Sequence, residues 1–306
     1  MLKHISDAVD LLSGADITGD AVAAWLRGFG ADVDVLPMTS ATGRTDLVRA
    51  VIAGTNGRRA RGSAPTLGII GRLGGIGVRP SRLGLVSDAD GAIVAVAVAA
   101  ALARMRARGD RLRSDVLVRT HISPRSPIIP HEPAAFVDVP VDRLALAQAE
   151  VDPEMAAILS IDATRANRIV KARGFAITGA VKDGYILRPT VPMLDIVERV
   201  TGHAPLIVPL FTQDITPPGN GVHRINSIMQ PATLTNAPVI GVALLSPVVT
   251  GGASTGVTDE HDLAMTGRFA VEVAKEFSAG ALPFYYEDEF KKLVELYGPL
   301  TRLVGR

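Results

Sequence analysis

The amino-acid sequence predicts an α/β protein, a three-layer α/β/α sandwich with a mixed central sheet, formed by one domain over residues 1–306. Helical and strand-like patterns alternate along the chain. Most strand-like segments are continuous apolar runs, which is typical of strands buried on both faces. No linker divides the pattern, and only the proline-rich segment 123–133 interrupts it, so a small excursion is expected at 123–150.

The first third of the chain predicts two helices followed by three strands. HISDAVDLLSG and TGDAVAAWLRGFG have apolar residues at helical spacing, and each ends at glycine. Asp16 or Thr18 is expected to cap the second helix. DVDVLPM, DLVRAVIAG and APTLGIIG are short and rich in β-branched residues, which predicts strands.

The remainder of the chain alternates in the same manner. Strands are predicted for SDVLVRTHI, MAAILSIDAT, APLIVPL and APVIGVALLSP, and a hairpin for GFAITGAVKDGYILRP, in which KDG is the turn signal. Helices are predicted for MLDIVERVTG, for 259–278 and for 287–297. PRSPIIPHEP is predicted to be irregular, and DITPPGNGVH and TGGASTG are predicted loops.

A thirteen-residue run of apolar residues and glycine, at 91–103, follows two aspartates, Asp88 and Asp90. Its centre alternates as a strand would, but it continues through LARMRARG, is rich in alanine and ends at Gly109, which favours a helix. A helix that is apolar all round is buried, so we expect it between the sheet and another layer. Asp90 is the expected N-cap, which leaves Asp88 for chemistry.

The composition excludes several kinds of site and partner. The chain has no cysteine, which excludes disulfides, thiolate metal sites and a cysteine nucleophile. The net charge of +1 does not indicate nucleic acid or a membrane as partner. The N-terminus is not typical of a signal peptide, and the run at 91–103 is shorter than the about 20 residues that span a bilayer, so a cytoplasmic location is expected. HExxH, GxSxG and P-loop motifs do not occur.

Polar residues at the predicted strand ends form the candidate site, because ligands of open α/β sheets bind outside the carboxyl ends of the strands. His, Asp and Glu side chains that converge on one edge suit a zinc, manganese or magnesium ion, which would activate water as the nucleophile. The candidate catalytic residues, as general base, are His121 and Glu132. The candidate metal ligands are Asp88, His121, Asp162, His131 and His223.

These residues also have structural interpretations. An N-cap explains one of the two aspartates, a turn hydrogen bond explains Asp162, and a satisfied edge position explains His121. His131 and His223 lie in predicted loops, where exposure to solvent is an equal expectation.

A glycine-rich turn, GRLGGIGVRPSRLG at 71–84, follows a predicted strand. Its spacing is not the GxGxxG of dinucleotide-binding proteins, and Pro80 follows where a helix would run. It is either a structural tight turn or a loop whose backbone amides hold an anion beside an arginine. In the second case the binding residues are Arg72, Gly74 and Gly75.

Five segments resemble the signature blocks of an uncharacterised bacterial family, a domain of unknown function. They are APTLGIIGRLGGIG, LVSDADGAI, THISPRSPIIPHEP, QDITPPGN and INSIMQP. The resemblance extends over nearly the whole chain. Members of that family occur beside genes for peptide or amino-acid catabolism and transport, so the resemblance implies such a setting.

More distantly, the order of features is similar to the glutamyl- or tetrahedral-aminopeptidase branch of the co-catalytic zinc peptidases. There an aspartate before a small-residue helix bridges two metals, and SDADGAIVAVAVAAAL resembles that segment with Asp88 in the bridging place. AAILSIDAT resembles the strand that ends in a ligand carboxylate, here Asp162. The resemblance implies a phosphorylase/hydrolase-like fold.

The sequence departs from the peptidase pattern in three places. VLVRTHISP stands where a Glu-Glu pair supplies the general base, which leaves His121 and Glu132 as the nearby substitutes. GIIGRLGGIG stands in the place of the early His-x-Asp, and APVIGVALLSPVVTGG has no final histidine. The resemblance therefore implies a rebuilt site.

The predicted function is a metal-dependent hydrolase of a peptide-like or small amide substrate. One alternative is a non-catalytic protein that binds a small anionic ligand on the same scaffold. Another is a cofactor-free isomerase or lyase that uses the same residues as acid and base. The expected partner is a small-molecule or peptide substrate, and a homo-oligomer is expected, although the insert through which the related peptidases assemble is absent.

Overall fold

The computed structural model of the protein describes residues 1–72, 74–132, 134–218, 220–222, 227–254, 256–257 and 259–306. The strands in these ranges are β1 (Asp32–Ser40), β2 (Gly43–Ile52), β3 (Thr66–Arg72), β4 (Val116–Ile122), β5 (Ile128–Ile129), β6 (Phe136–Val137), β7 (Met155–Ala163), β8 (Phe175–Lys182), β9 (Tyr185–Leu187) and β10 (Val239–Leu244). The α-helices are α1 (Leu2–Leu12), α2 (Gly19–Arg27), α3 (Asp90–Ala107), α4 (Arg143–Glu150), α5 (Val191–Thr201), α6 (Glu260–Ala279) and α7 (Glu287–Tyr297). Short 3-10 helices cover Arg58–Ala60, Ser87–Ala89, Thr212–Ile215, Ser227–Thr233 and Thr301–Val304.

Eight strands form one mixed sheet in the order β1-β2-β4-β3-β7-β10-β8-β9. The four central strands, β4, β3, β7 and β10, run parallel, and the antiparallel pairs β1–β2 and β8–β9 flank them. Every residue of β3, β4 and β10 is buried, as the continuous apolar runs predict for strands covered on both faces. The mixed sheet with flanking helices confirms the predicted α/β fold.

The two faces of the sheet are covered differently. On one face, α1, α2, α3, α5 and α6 share a large apolar core with the strands. On the other face, a smaller core that includes Ile70, Ile158 and Met229 lies beneath the 3-10 helix Ser227–Thr233, with α4 beside it. Within the described ranges, no helix has both the length and the apolar character that crossing a bilayer requires.

Helix α3 lies so close to the sheet that the positions of contact have room only for glycine. Its residues from Asp90 to Ala100 are all buried, as the apolar run predicts. A Cβ at Gly91 would lie 2.5 Å from the carbonyl oxygen of Arg72 and 2.8 Å from that of Ile161. A Cβ at Gly71 would lie 2.5 Å from the Gly91 carbonyl oxygen. The N-terminus of α3 therefore contacts the last residues of β3 and β7 through backbone alone.

Segment 204–210 differs from its prediction as a strand. Ile207 forms an isolated bridge with Ile177, and the segment forms no strand. The physical reason is that β8 is already paired with β10 on one side and with β9 on the other, which leaves only its first residues free for a partner.

The excursion at 123–150 is more ordered than predicted. It contains the two-stranded sheet β5–β6 and the helix α4. The carboxylate of Asp142 caps α4 and accepts a hydrogen bond from the Ala145 N–H at 2.7 Å. The amphipathic stretch RLALAQAE after this aspartate is the signal that could have predicted the helix.

Gly91→Ala should destabilise the protein by about 1–3 kcal/mol, because the new methyl group would force α3 away from two backbone carbonyls. Gly267→Ala, inside α6, is the matched control, since the atoms nearest to its added Cβ belong to the flexible side chain of Met1. Alanine favours a helix over glycine by about 1 kcal/mol, so the control should be neutral or stabilising. Urea unfolding measures both. A Gly91→Ala variant as stable as the wild type would contradict the close contact.

Candidate functional site

A cavity of about 890 Å³ opens over the carboxyl ends of β3 and β7. This is the edge of the sheet at which the sequence predicts ligand binding. Charged or titratable side chains of the predicted site line it, namely Arg72, Asp88, His131, Glu132 and Asp162. The prediction did not include four further charged residues of the lining, which are Asp138, Arg143, Arg165 and Arg168.

Asp88 accepts hydrogen bonds from the glycine-rich loop. Its Oδ2 atom accepts from the Gly74 N–H at 2.6 Å and from the Gly75 N–H at 3.4 Å. Its own N–H donates to the carbonyl of Gly252 at 3.1 Å. Two amides of the glycine-rich loop therefore hold an anion, and that anion is the protein's own carboxylate. These two amides are thus not directed at a cofactor.

Arg72 brings a buried guanidinium to the same strand end. It is the last residue of β3 and lies in register with Asp162 on the neighbouring parallel strand β7. Its Nη1 donates to the Glu150 carboxylate, and its Nη2 donates to Oε1 of Gln230. Its positive charge also acts on Asp88. The positive charge of Arg72 thus acts on three carboxyl groups, those of Glu150, Asp88 and Asp162.

His121 lies behind the cavity wall and not on it. The side chain at the end of β4 is fully buried, and its Nδ1 is 3.0 Å from Oε1 of Glu150. Its Nε2 is 3.4 Å from the carbonyl oxygen of Gly74. Burial would raise the pKa of Glu150, but Arg72 and His121 together lower it below the ordinary value. His121 therefore contacts the glycine-rich loop and the Arg72–Glu150 ion pair. Its side chain reaches the cavity only through these two contacts.

The sequence did not indicate Glu150, Gln230 or Ser227 as members of the site. Glu150 ends α4, and the other two lie on the 3-10 helix Ser227–Thr233. Both segments are distant in sequence from the strand ends that they contact. Only the tertiary packing brings them there.

The pKa values of both cavity carboxyls are raised by burial. Burial raises the pKa of Asp88 to about 6, although two backbone N–H groups and the nearby positive charges oppose the shift. Burial and the charge of Asp88 raise the pKa of Asp162 to about 8, although the Ser227 hydroxyl donates to Oδ2 at 2.8 Å. Because the two groups interact, the pair shares about one proton near neutral pH.

The remaining predicted site residues belong to the outer wall or to another region. His131 and Glu132 line the cavity between β5 and β6. The His131 ring packs edge-on against Phe136 with the ring centroids 5.3 Å apart, and Glu132 is exposed. His223 lies outside the described residues.

Asp90 does not cap α3, so that prediction is wrong. The 3-10 helix Ser87–Ala89 leads directly into α3, with Ala89 as the N-cap, so Asp90 is already helical. Its side chain is fully buried, and its Oδ2 lies 3.8 Å from Nη1 of Arg165 in an ion pair. The carboxylate therefore neutralises a cation inside the protein.

The described residues do not fit the predicted zinc, manganese or magnesium ion. In the described part of the chain, no three His, Asp or Glu side chains form a group that could hold a metal. The ring nitrogens of His121 face Glu150 and a backbone carbonyl. The positive charge of Arg72 acts on both Asp88 and Asp162 and would repel a second cation.

Two solved structures with a similar fold are aminopeptidases. The crystal structure of the Legionella pneumophila LapA aminopeptidase matches with a TM-score of 0.50 and 10% identity, over 91% of this chain and 71% of that chain. The apo structure of leucyl aminopeptidase from Trypanosoma brucei matches with a TM-score of 0.50 and 12% identity, over 87% of this chain and 60% of that chain. At these identities the likeness shows an aminopeptidase-type α/β fold.

The chain belongs to the family described as "Protein of unknown function (DUF1177)", whose model matches residues 37–306. This confirms the predicted resemblance to a family of unknown function, with a distant likeness to aminopeptidases. No curated protein matches the sequence.

Asp162→Asn should stabilise the protein, and more so as the pH rises. The pKa of Asp162 in the folded state is about 8, above the ordinary 3.8, so the folded state binds the proton more tightly. Wild-type stability should therefore fall between these values by up to about 1.4 kcal/mol per pH unit, a loss that asparagine avoids. Urea unfolding across this range measures the difference, with the exposed Asp10→Asn as control. If the difference in unfolding free energy between Asp162→Asn and the wild type did not change with pH, the raised pKa of Asp162 would be contradicted.

Elemental analysis of protein purified without chelator should find no stoichiometric zinc, manganese or magnesium, because the positive charge of Arg72 acts on both Asp88 and Asp162 and opposes the binding of a cation between them. Asp88→Ala and His121→Ala should give the same result as the wild type. A stoichiometric metal in the wild type that either substitution removes would show instead that residues outside the described ranges complete a metal centre.

Proposed function

We propose that the protein is a hydrolase of a small amide or peptide-like substrate and that Asp88 and Asp162 carry out the proton transfers. The observation that supports this best is geometric. Two carboxyl groups from different elements line one cavity at the carboxyl edge of parallel strands, beside a buried guanidinium. The aminopeptidase-type fold supports the reaction class by analogy only.

Asp88 suits the role of general base. Two backbone N–H groups hold Oδ2, while no described residue donates a hydrogen bond to Oδ1. Oδ1 is therefore the oxygen that we assign to the attacking water. Asp162 has the higher pKa and suits the role of general acid. A pair of carboxyls whose pKa values are separated by their surroundings divides the acid and base roles in this way.

The proposed reaction needs only water as co-reactant. Asp88 takes a proton from water as the water oxygen bonds to the amide carbon, and Asp162 gives its proton to the carbonyl oxygen. The resulting intermediate collapses when its hydroxyl returns that proton to Asp162. The carbon–nitrogen bond then breaks, and the leaving nitrogen takes the proton from Asp88. The products are one carboxylic acid and one amine, and both aspartates regain their starting protonation.

Arg72 is the positioning residue of this mechanism. Glu150 and Gln230 hold its guanidinium, so its charge does not need to reorganise when negative charge develops on the substrate. His121 in turn holds Glu150. Since the described residues do not fit a metal, the mechanism passes through the carboxyls and this fixed cation.

A cofactor-free isomerase or lyase is the second candidate. The same observation favours it, because one protonated and one ionised carboxyl can move a proton on and off a carbon atom as well as an oxygen. The mass of the product separates the two candidates.

Incubation with a panel of dipeptides and small amides should give products whose combined mass equals that of the substrate plus one water. Asp88→Asn and Asp162→Asn should each lower kcat by at least about 100-fold, since each removes one proton-transfer group. Glu132→Gln is the matched control, because it removes the other predicted catalytic carboxylate from the cavity wall, and it should leave kcat unchanged. Products of unchanged mass would support the isomerase instead.

The rate should also depend on pH in a bell-shaped manner. It should rise as Asp88 ionises near its pKa of about 6 and fall as Asp162 loses its proton near about 8. Burial is the largest cause of both raised pKa values, and Arg72, His121, Ser227, nearby backbone N–H groups and the charge of Asp88 modify it. A rate that continues to rise well above the second value would contradict the assignment of Asp162 as the acid.

A further inference from the structure

We infer that Arg165 is an anion-binding residue of the cavity and that the ligand of this cavity carries a carboxylate. The inference names the substrate class of the hydrolase proposed above and rests on that proposal for the reaction. Its binding part depends only on Arg165 and the cavity.

Arg165 is a nearly buried cation, and two of its three guanidinium nitrogens have no hydrogen-bond partner among the described residues. It lines the cavity with Asp162, two residues beyond the end of β7, and its side chain is 14% exposed. Its Nε and Nη1 atoms are buried and have no hydrogen-bond partner among the described residues. The contact with Asp90, at 3.8 Å, balances the charge but is too long for a hydrogen bond.

Another buried arginine of the same sheet shows what a purely structural role requires. Arg119, on β4, donates to the carbonyls of Ala50 and Val118 and to the carboxylate of Asp152. Buried polar groups are almost always bonded in this way, and an exception calls for an explanation such as a ligand. Arg72 also has an unpartnered buried Nε, and it too lines the cavity. Among the described residues, the buried guanidinium nitrogens without a hydrogen-bond partner therefore all belong to arginines that line the cavity.

The backbone holds Arg165 in place. Its carbonyl oxygen accepts a hydrogen bond from the Thr250 N–H at 3.1 Å and another from Nζ of Lys171 at 2.8 Å. The loop after β7 is thus tied to two other segments, so the side chain does not depend on a free loop for its position.

A carboxylate is the anion that fits best. The planar guanidinium binds a carboxylate through two parallel hydrogen bonds. Asp88 and Asp162 repel a second negative charge from their own part of the cavity, so the ligand's carboxylate belongs at Arg165 and its amide group at the aspartates. A volume of about 890 Å³ holds a small molecule with both groups. The predicted substrate class is an N-acyl amino acid or a short peptide with a free carboxylate.

Calorimetric titration with N-acetylalanine and with its uncharged counterpart, N-acetylalaninamide, tests the inference. The wild type should bind the carboxylate at least about tenfold more tightly than the amide, since a charged hydrogen bond to a buried arginine contributes that much. Arg165→Gln should remove this preference. Arg165→Lys, which keeps the charge beside Asp90 and guards against misfolding, should retain only part of it.

Arg168→Gln is the matched control, because Arg168 lines the same cavity but is exposed. It should change the preference by no more than about twofold, as expected of an exposed charge. An equal loss in Arg165→Gln and Arg168→Gln would mean that general positive potential attracts the anion, and it would overturn the inference. Equal binding of the two compounds by the wild type, or no binding of either at millimolar concentration, would also overturn it.

The binding and the reaction can fail separately. Preferential binding of N-acetylalanine without any hydrolysis of the amide panel supports Arg165 as an anion site and contradicts the hydrolase. Hydrolysis of the panel without preference for a carboxylate contradicts the role of Arg165 and leaves the hydrolase in place.

Discussion

The contact between the N-terminus of α3 and the last residues of β3 and β7 determines both the fold and the site. Glycines at 71 and 91 permit this contact, since a Cβ at either position would meet backbone oxygen at 2.5 Å. The contact fixes the start of α3 over the carboxyl edge of the sheet. Asp88, just before the helix, is thereby carried to the strand ends that supply Arg72 and Asp162. A larger residue at Gly91 would therefore weaken the packing and displace the carboxyl pair together.

The charges at this edge are arranged around one guanidinium. Burying a charge is costly unless it is paired, and Arg72 is paired directly with Glu150. Arg72 also lowers the pKa values of Asp88 and Asp162, but burial has the larger effect and raises both. Such a pair lowers stability at neutral pH, and carboxyls perturbed in this way are concentrated at functional sites. The destabilisation and the proposed acid–base chemistry thus have the same physical origin.

Local patterns in the sequence predicted most of the elements, because apolar runs and glycine stops report on a few neighbouring residues. The same patterns did not show that β8 lacks a free edge for segment 204–210, since sheet pairing is a long-range property. Asp88 and Asp162 could be selected because they stand at the ends of buried segments. Glu150, Gln230 and Ser227 could not, because the helices that carry them reach the site only through tertiary packing.

The proposed chemistry differs from that of the zinc peptidases that the sequence distantly resembles. Where the sequence resemblance places the early His-x-Asp of those peptidases, this chain has GIIGRLGGIG, and the positive charge of Arg72 from that segment acts on both Asp88 and Asp162. A guanidinium can offset negative charge, but it cannot lower the pKa of a bound water as a metal does. The base must then be a protein group, and the acid must hold a proton near neutral pH. In the proposed mechanism, burial beside a second carboxyl provides both, because it raises the pKa of Asp88 to about 6 and that of Asp162 to about 8.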